Sequence, residues 1–155
     1  MKVIAGIGIP GSGKTTILRS LAAERGYTYL SPDDIREEIS GDARIQSAMR
    51  LVWETAYARM REALMRGETV VFDATQYKSE DRRDFIEKAC AYGATEIVGV
   101  YFAVPLEVAQ ERNAGRERMV PEHALRRMHR RLTEEPPRAE EGFTKIIAPE
   151  ELPNL

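Results

Sequence analysis

Apolar residues along this chain keep two rhythms. Short runs rich in Val, Ile and aromatic residues stand at positions 2–8, 27–30, 69–72, 96–103 and 143–147. They predict five strands, and the first, apolar on both faces, reads as a central parallel strand. Between them the period lengthens to that of a helix. In the segment 43–66, apolar residues at 45, 48, 49, 52, 56, 60, 63 and 64 make one stripe, and Gly67 ends it. Further helices are predicted at 14–25, closing at Gly26, at 32–40, at 79–92, closing at Gly93, and near 105–113 and 121–134. Strands alternating with helices give an α/β fold, a central parallel sheet of about five strands with helices on both faces. No repeat, linker or low-complexity tract divides residues 1–155, so one domain is expected.

Composition narrows the class only a little. A chain that is 43% hydrophobic and 31% charged is an ordinary globular protein. One cysteine, Cys90, excludes an internal disulfide, and no His or Cys cluster has metal-site spacing. No apolar run reaches the length of a membrane span, so no membrane partner and a cytoplasmic address are expected (host cytoplasm for a phage-encoded chain). The oligomeric state is not written in these features. The net charge of −2 hides a local excess, because residues 112–131 hold seven arginines against Glu117 and Glu122. Part of this chain handles anions.

The anion is specified at residues 8–15. G-I-P-G-S-G-K-T matches G-x-x-x-x-G-K-[ST] and stands where its mechanism requires, after the first strand and opening the first helix. Gly8, Gly11 and Gly13, with Pro10 and Ser12 between them, let the backbone turn its N–H groups onto phosphate oxygens. Lys14 adds a charge at the terminal phosphates, the Thr15 hydroxyl is the expected Mg²⁺ ligand, and Thr16 completes the loop. ATP or another nucleoside triphosphate is the expected cofactor, with Mg²⁺.

Which phosphate-loop protein this is depends on S-P-D-D-I-R-E-E, residues 31–38. These residues fit a helix start, with Ser31 as N-cap, Pro32 first, and Asp33 and Asp34 on the positive end of the dipole. Asp33 also lies just beyond the second strand, at the sheet edge that carries the phosphate loop, where a carboxylate can accept a proton during phosphoryl transfer; Arg36 is one turn along. The third strand delivers Asp73, Thr75 and Gln76 to the same edge, Asp73 either near the magnesium shell or as a turn residue. In R-N-A-G-R-E-R-M-V-P, the Ala114-Gly115 pair reads as the corner of a lid bearing Arg112, Arg116 and Arg118. Arg126, Arg127, Arg130 and Arg131 read as a solvated face, His123 and His129 as surface or cap residues, and Trp53 and Tyr57 as core or helix contact. No N-K-x-D motif marks a GTPase, and the chain is short for an oligomeric remodelling ATPase; small kinases of the nucleoside-monophosphate type fit best.

Taken in order, G-I-P-G-S-G-K-T, D-D-I-R, D-A-T-Q-Y-K-S-E-D-R-R, E-R-N-A-G-R-E-R-M-V-P and the closing E-P-P-R-A-E-E-G-F resemble the kinase domain of 5′-hydroxyl polynucleotide kinases, over nearly the whole chain. The resemblance implies a phosphate-loop kinase fold with an arginine-bearing lid, and transfer of the γ-phosphoryl group to the 5′-OH end of DNA or RNA. It implies Asp33 as general base, Arg36 on the acceptor near its reactive end and 3′-phosphate, and Thr75 lining the acceptor side. Asp34, Asp73 and Gln76 join the acceptor group, and Arg116 bridges to the donor phosphates with Arg112 and Arg118 beside it. The sequence departs from the family at Pro32, where a basic residue is found, and at Gln76, where Asn is frequent; no D-x-D-G-T phosphatase motif is present. Small-molecule and toxin-type kinases share parts of the pattern, and a nucleotide-binding regulator without chemistry is the alternative of another class.

Overall fold

The computed structural model describes residues 1–39, 46–117 and 119–155, apart from the side chains at 46–48. Five parallel strands form one sheet: β1 (Lys2–Ile7), β2 (Thr28–Leu30), β3 (Val70–Ala74), β4 (Glu96–Tyr101) and β5 (Lys145–Ile147), in the order β2-β3-β1-β4-β5. The helices between them are α1 (Lys14–Arg25), α2 (Pro32–Ile39), α3 (Gln46–Met65), α4 (Ser79–Ala91), α5 (Leu106–Ala114) and α6 (Glu122–Glu134). The first residues of the helix expected from 43, Arg44 among them, lie outside the described residues.

Alternation along the strands builds a core on each face of the sheet. Val3, Ala5 and Ile7 of β1 face one way, with Val70 and Phe72 of β3, onto Val52, Ala56 and Met60 of α3 and Phe85 of α4. Ile4, Val71, Val98 and Val100 face the other way, onto Leu18, Leu21 and Ala22 of α1. The final residues close that second face: a 3-10 turn at Pro149–Asn154 buries Leu152, and Arg25 donates to the carbonyls of Pro153 and Leu155.

Two strand ends differ from the sequence reading. β3 continues to Ala74, so Asp73 is a buried strand residue, in register with Gly6, rather than a turn residue beyond the strand. β4 ends at Tyr101, before the Phe102–Pro105 segment that turns into α5. Because the chain crosses over β3 between β1 and β2, the carboxyl ends of β1 and β3 stand side by side, where open α/β sheets bind ligands. Gly8 N–H donates to the Thr75 carbonyl at 3.2 Å, binding the two loops together.

One tertiary link joins two of the sequence motifs. Arg82 of α4 is fully buried, and its guanidinium takes both oxygens of buried Glu141, at 2.7 and 3.0 Å. It also donates to the carbonyls of Glu135 and Gln76, at 2.7 and 2.9 Å. A buried cation is tolerable only with such complete pairing. The D-R-R and E-P-P-R-A-E-E-G-F segments are therefore two halves of one clamp.

Candidate active site

The phosphate loop leaves β1 and enters α1 through residues that only glycine suits. Gly11 and Gly13 have φ of 83° and 86°, in the left-handed region. A Cβ at Gly11 would lie 2.5 Å from the Ala109 carbonyl, and one at Gly13 would lie 3.0 Å from an Arg112 nitrogen. The free first-turn N–H groups of α1, with Lys14 as its first residue, form an anion cradle at the positive helix end. These features fit the phosphates of a nucleotide. Pro10 is half-buried beside the loop and Thr16 is exposed on α1.

Behind the cradle is Asp73. Its Oδ2 accepts from the Thr15 hydroxyl at 2.8 Å and from the Tyr29 phenol at 2.5 Å, while Oδ1 stands 3.6 Å from Lys14 Nζ. Burial, then the Asp73 carboxylate, pushes the Tyr29 phenol well above its ordinary range, so it stays a proton donor to Asp73. Arg19 lies over the Tyr29 ring at 5.4 Å and pairs through Nη2 with both oxygens of Asp34, at 2.7 and 2.9 Å.

Beside the loop opens a cavity of about 440 Å³, lined by Lys14, Asp33, Arg36, Asp73, Thr75 and Gln76 together with Trp53, Tyr57, Tyr77, Asp81 and Asp84. Six expected residues thus share one cavity. Asp33 pairs with Arg36 at 2.9 Å, and its side chain is 55% exposed. The capping bond of α2 comes from elsewhere: the Ser31 hydroxyl accepts the Asp34 N–H at 3.4 Å. Ser31 caps the helix, and Asp33 lines the cavity.

Among the described residues, the buried side-chain polar atoms without a partner are Ser12 Oγ, Arg36 Nε, Asp73 Oδ1 and both amide atoms of Gln76. All belong to the phosphate loop or to this cavity. Folded chains satisfy buried polar atoms almost everywhere, so a cluster of exceptions marks a place built for another molecule.

Other expectations come apart. Asp34 does not line the cavity, because Arg19 draws its carboxylate to the outer face of α1. Of the lid arginines, Arg112 reaches the phosphate loop, donating to the Gly11 carbonyl at 3.4 Å. Arg116 is exposed beyond the end of α5, and Arg118 lies outside the described residues. The lid corner is pinned by buried Asn113, whose amide bonds Val120 N–H and C=O at 3.0 and 2.8 Å. Arg126, Arg127 and Arg130 are exposed, and Arg131 bonds Glu135 at 2.8 Å.

Sequence reasoning missed the second role of Trp53 and Tyr57. Both pack on Phe72, at 6.1 and 6.3 Å between ring centres, and both also wall the cavity. Their helical spacing marks a buried stripe in either case. Tyr29 gave no local signal, and Asn113, Arg82 and Glu141 lie inside the quoted motifs with nothing there to show what they bond.

A family profile described as AAA domain matches residues 3–136. Among solved structures, a chain of the Pnkp1/Rnl/Hen1 RNA repair complex is similar at a TM-score of 0.77 and 22% identity, over 86% of this chain and 44% of that one. A second structure of the Pnkp1/Rnl/Hen1 complex gives 0.64 and 25%, over 72% and 38%. A sugar kinase from Janibacter gives 0.68 and 20%, over 98% and 90%. The chain thus spans under half the length of the repair-complex chains it matches and nearly all of the sugar kinase.

Proposed function

We propose, on the premise that this chain belongs to the AAA domain family and has the phosphate-loop kinase fold, that it phosphorylates the 5′-OH end of DNA or RNA. The observation that carries a transfer reaction is the single cavity joining Lys14 and Asp73 to the Asp33–Arg36 pair. Gly8–Thr16 would hold a nucleoside triphosphate as phosphoryl donor, and Thr15, with Asp73 behind it, would hold Mg²⁺, which would offset the charge of the phosphates. Among the described residues no group of three or more His, Cys, Asp and Glu could hold a metal unaided, which fits an ion that shares its ligands with phosphates.

The chain's own residues have separate tasks. Asp33 accepts the proton of the attacking hydroxyl as that oxygen bonds to the γ-phosphorus and the bond from phosphorus to the bridging oxygen breaks, releasing the nucleoside diphosphate. Arg36 holds the Asp33 carboxylate in place and turns toward the acceptor. Lys14 follows the transferred group. Arg112, already on the loop, is placed to meet charge that spreads in the transition state. Arg112→Ala should therefore lower turnover about a hundredfold with a much smaller change in nucleotide affinity, and Arg116→Ala should do less. Steady-state rates beside nucleotide titration decide it, and a larger loss at Arg116 returns the lid role to that residue.

The polynucleotide acceptor is supported by the motif order, by the likeness to chains of an RNA repair complex, and by the arginine excess of residues 112–131. Exposed Arg50 and Arg61 add cationic surface on α3, whereas Arg59 is engaged by Glu38 at 2.6 and 3.2 Å. A small-molecule acceptor is the second reading, favoured by Asp81 and Asp84 in the cavity wall and by full-length likeness to a sugar kinase. Labelled ATP offered to 5′-OH oligonucleotides, nucleoside 3′-monophosphates, nucleosides and sugars separates them. Oligonucleotides should be preferred, with apparent affinity falling steeply as salt rises. If sugars or plain nucleosides react as well and salt has no effect, the small-molecule reading takes over.

A further inference from the structure

Gln76 is the oddest residue in the cavity. It is only 7% exposed, yet neither its amide oxygen nor its amide nitrogen has a partner. Its backbone has φ of 46°, and among the described residues it is the one non-glycine with positive φ. Such a conformation is strained for a side-chain-bearing residue and persists where surrounding bonds impose it. Here Arg82 imposes it, donating to the Gln76 carbonyl while Glu141 and the Glu135 carbonyl hold the guanidinium from behind.

A buried amide with both ends unmet asks for a ligand presenting a donor beside an acceptor. A phosphate offers acceptors only, and Asp81 and Asp84 in the wall repel it. A flat ligand is favoured by the Trp53, Tyr57 and Tyr77 rings around the same space. Burial, and then Asp84, keep the Tyr57 phenol protonated, so that ring presents a neutral face. Nucleobases have this chemistry. Glutamine pairs with neighbouring donor and acceptor atoms on a base edge, carboxylates accept from exocyclic amines, and aromatic side chains stack on unpaired bases.

We propose that the cavity holds the terminal nucleobase of the acceptor, that Gln76 reads its edge, and that Arg82 and Glu141 are positioning residues that aim Gln76. This rests on the polynucleotide reading and goes beyond it. The 5′-terminal base is part of the specificity, and the phosphates lie toward Arg36.

The test uses single-stranded 5′-OH oligonucleotides identical except at the first nucleotide, which carries each of the four bases or none. The abasic end should react at least about tenfold less efficiently than the best base-bearing end. Gln76→Leu should close that gap to within about threefold, with nucleotide affinity and melting temperature near those of the parent. Gln76→Glu, which loses the amide donor, should reorder the four bases. Glu141→Gln should raise KM for base-bearing ends and leave KM for the abasic end unchanged, a pattern that mere loss of folded protein cannot give. Equal rates on abasic and base-bearing ends, or a base ranking that Gln76→Glu leaves intact, overturn the inference while the kinase reading stands. If no oligonucleotide is phosphorylated, both fall together.

Discussion

Lys14→Met should lower phosphoryl transfer by about a hundredfold to a thousandfold, the range found when a preorganised group facing developing charge is removed. Lys14 is 9% exposed, and its ammonium stands between the loop and Asp73 at 3.6 Å. Its attraction for the terminal phosphate grows as that group leaves, so turnover suffers more than nucleotide binding. The substitution also removes a cation from beside a buried carboxylate, which ordinarily destabilises. Here Tyr29 and Thr15 still donate to Asp73, so the fold should survive with a modestly lower melting temperature. Rates on folded, nucleotide-titrated protein check this, and retention of more than a tenth of the activity sinks the assignment.

Asp33→Asn should nearly abolish transfer while leaving the molecule intact. The Asp33 end of the pair with Arg36 is 55% exposed and the Arg36 end 26%, so solvent screens the pair and its loss should cost no more than about 1 kcal/mol. Ser31 provides the cap, so α2 does not depend on the carboxylate. Asparagine keeps the shape and an oxygen for Arg36 but loses the charge and the ability to take a proton. Melting temperature should move little, nucleotide should still bind, and transfer should collapse. A large fall in melting temperature with unchanged turnover per folded molecule would make Asp33 a structural residue.

How much of this was legible before any coordinates depended on distance along the chain. The phosphate loop is eight consecutive residues whose glycines, lysine and threonine act within one turn, so sequence alone places them. The central strands β1, β3 and β4 were equally plain, since burial on both faces leaves runs dominated by Val, Ile and other apolar residues. Asp33, Asp73 and Thr75 were reachable by a topological step, because strand ends of a parallel sheet share an edge. Asp34 misled because adjacent helix positions face different ways, and its partner Arg19 is fifteen residues back on another helix. The resemblance puts Arg116 ahead of Arg112, whereas Arg112 is the one that meets the loop, because that depends on where α5 ends. Arg82 and Glu141 are fifty-nine residues apart, and each alone reads as one more surface charge.

That separation also has a schedule. At ordinary rates of synthesis, about 5–20 residues per second, roughly 3–12 seconds pass between making Arg82 and making Glu141. During that interval the phosphate loop, β1 and β3 already exist, while the guanidinium has no carboxylate to enter the core with and α4 cannot close fully over the sheet. The phosphate loop is therefore made well before the clamp behind Gln76 can close. The guanidinium that bonds the Gln76 carbonyl waits for Glu141, so this side of the cavity should be the last to become ordered.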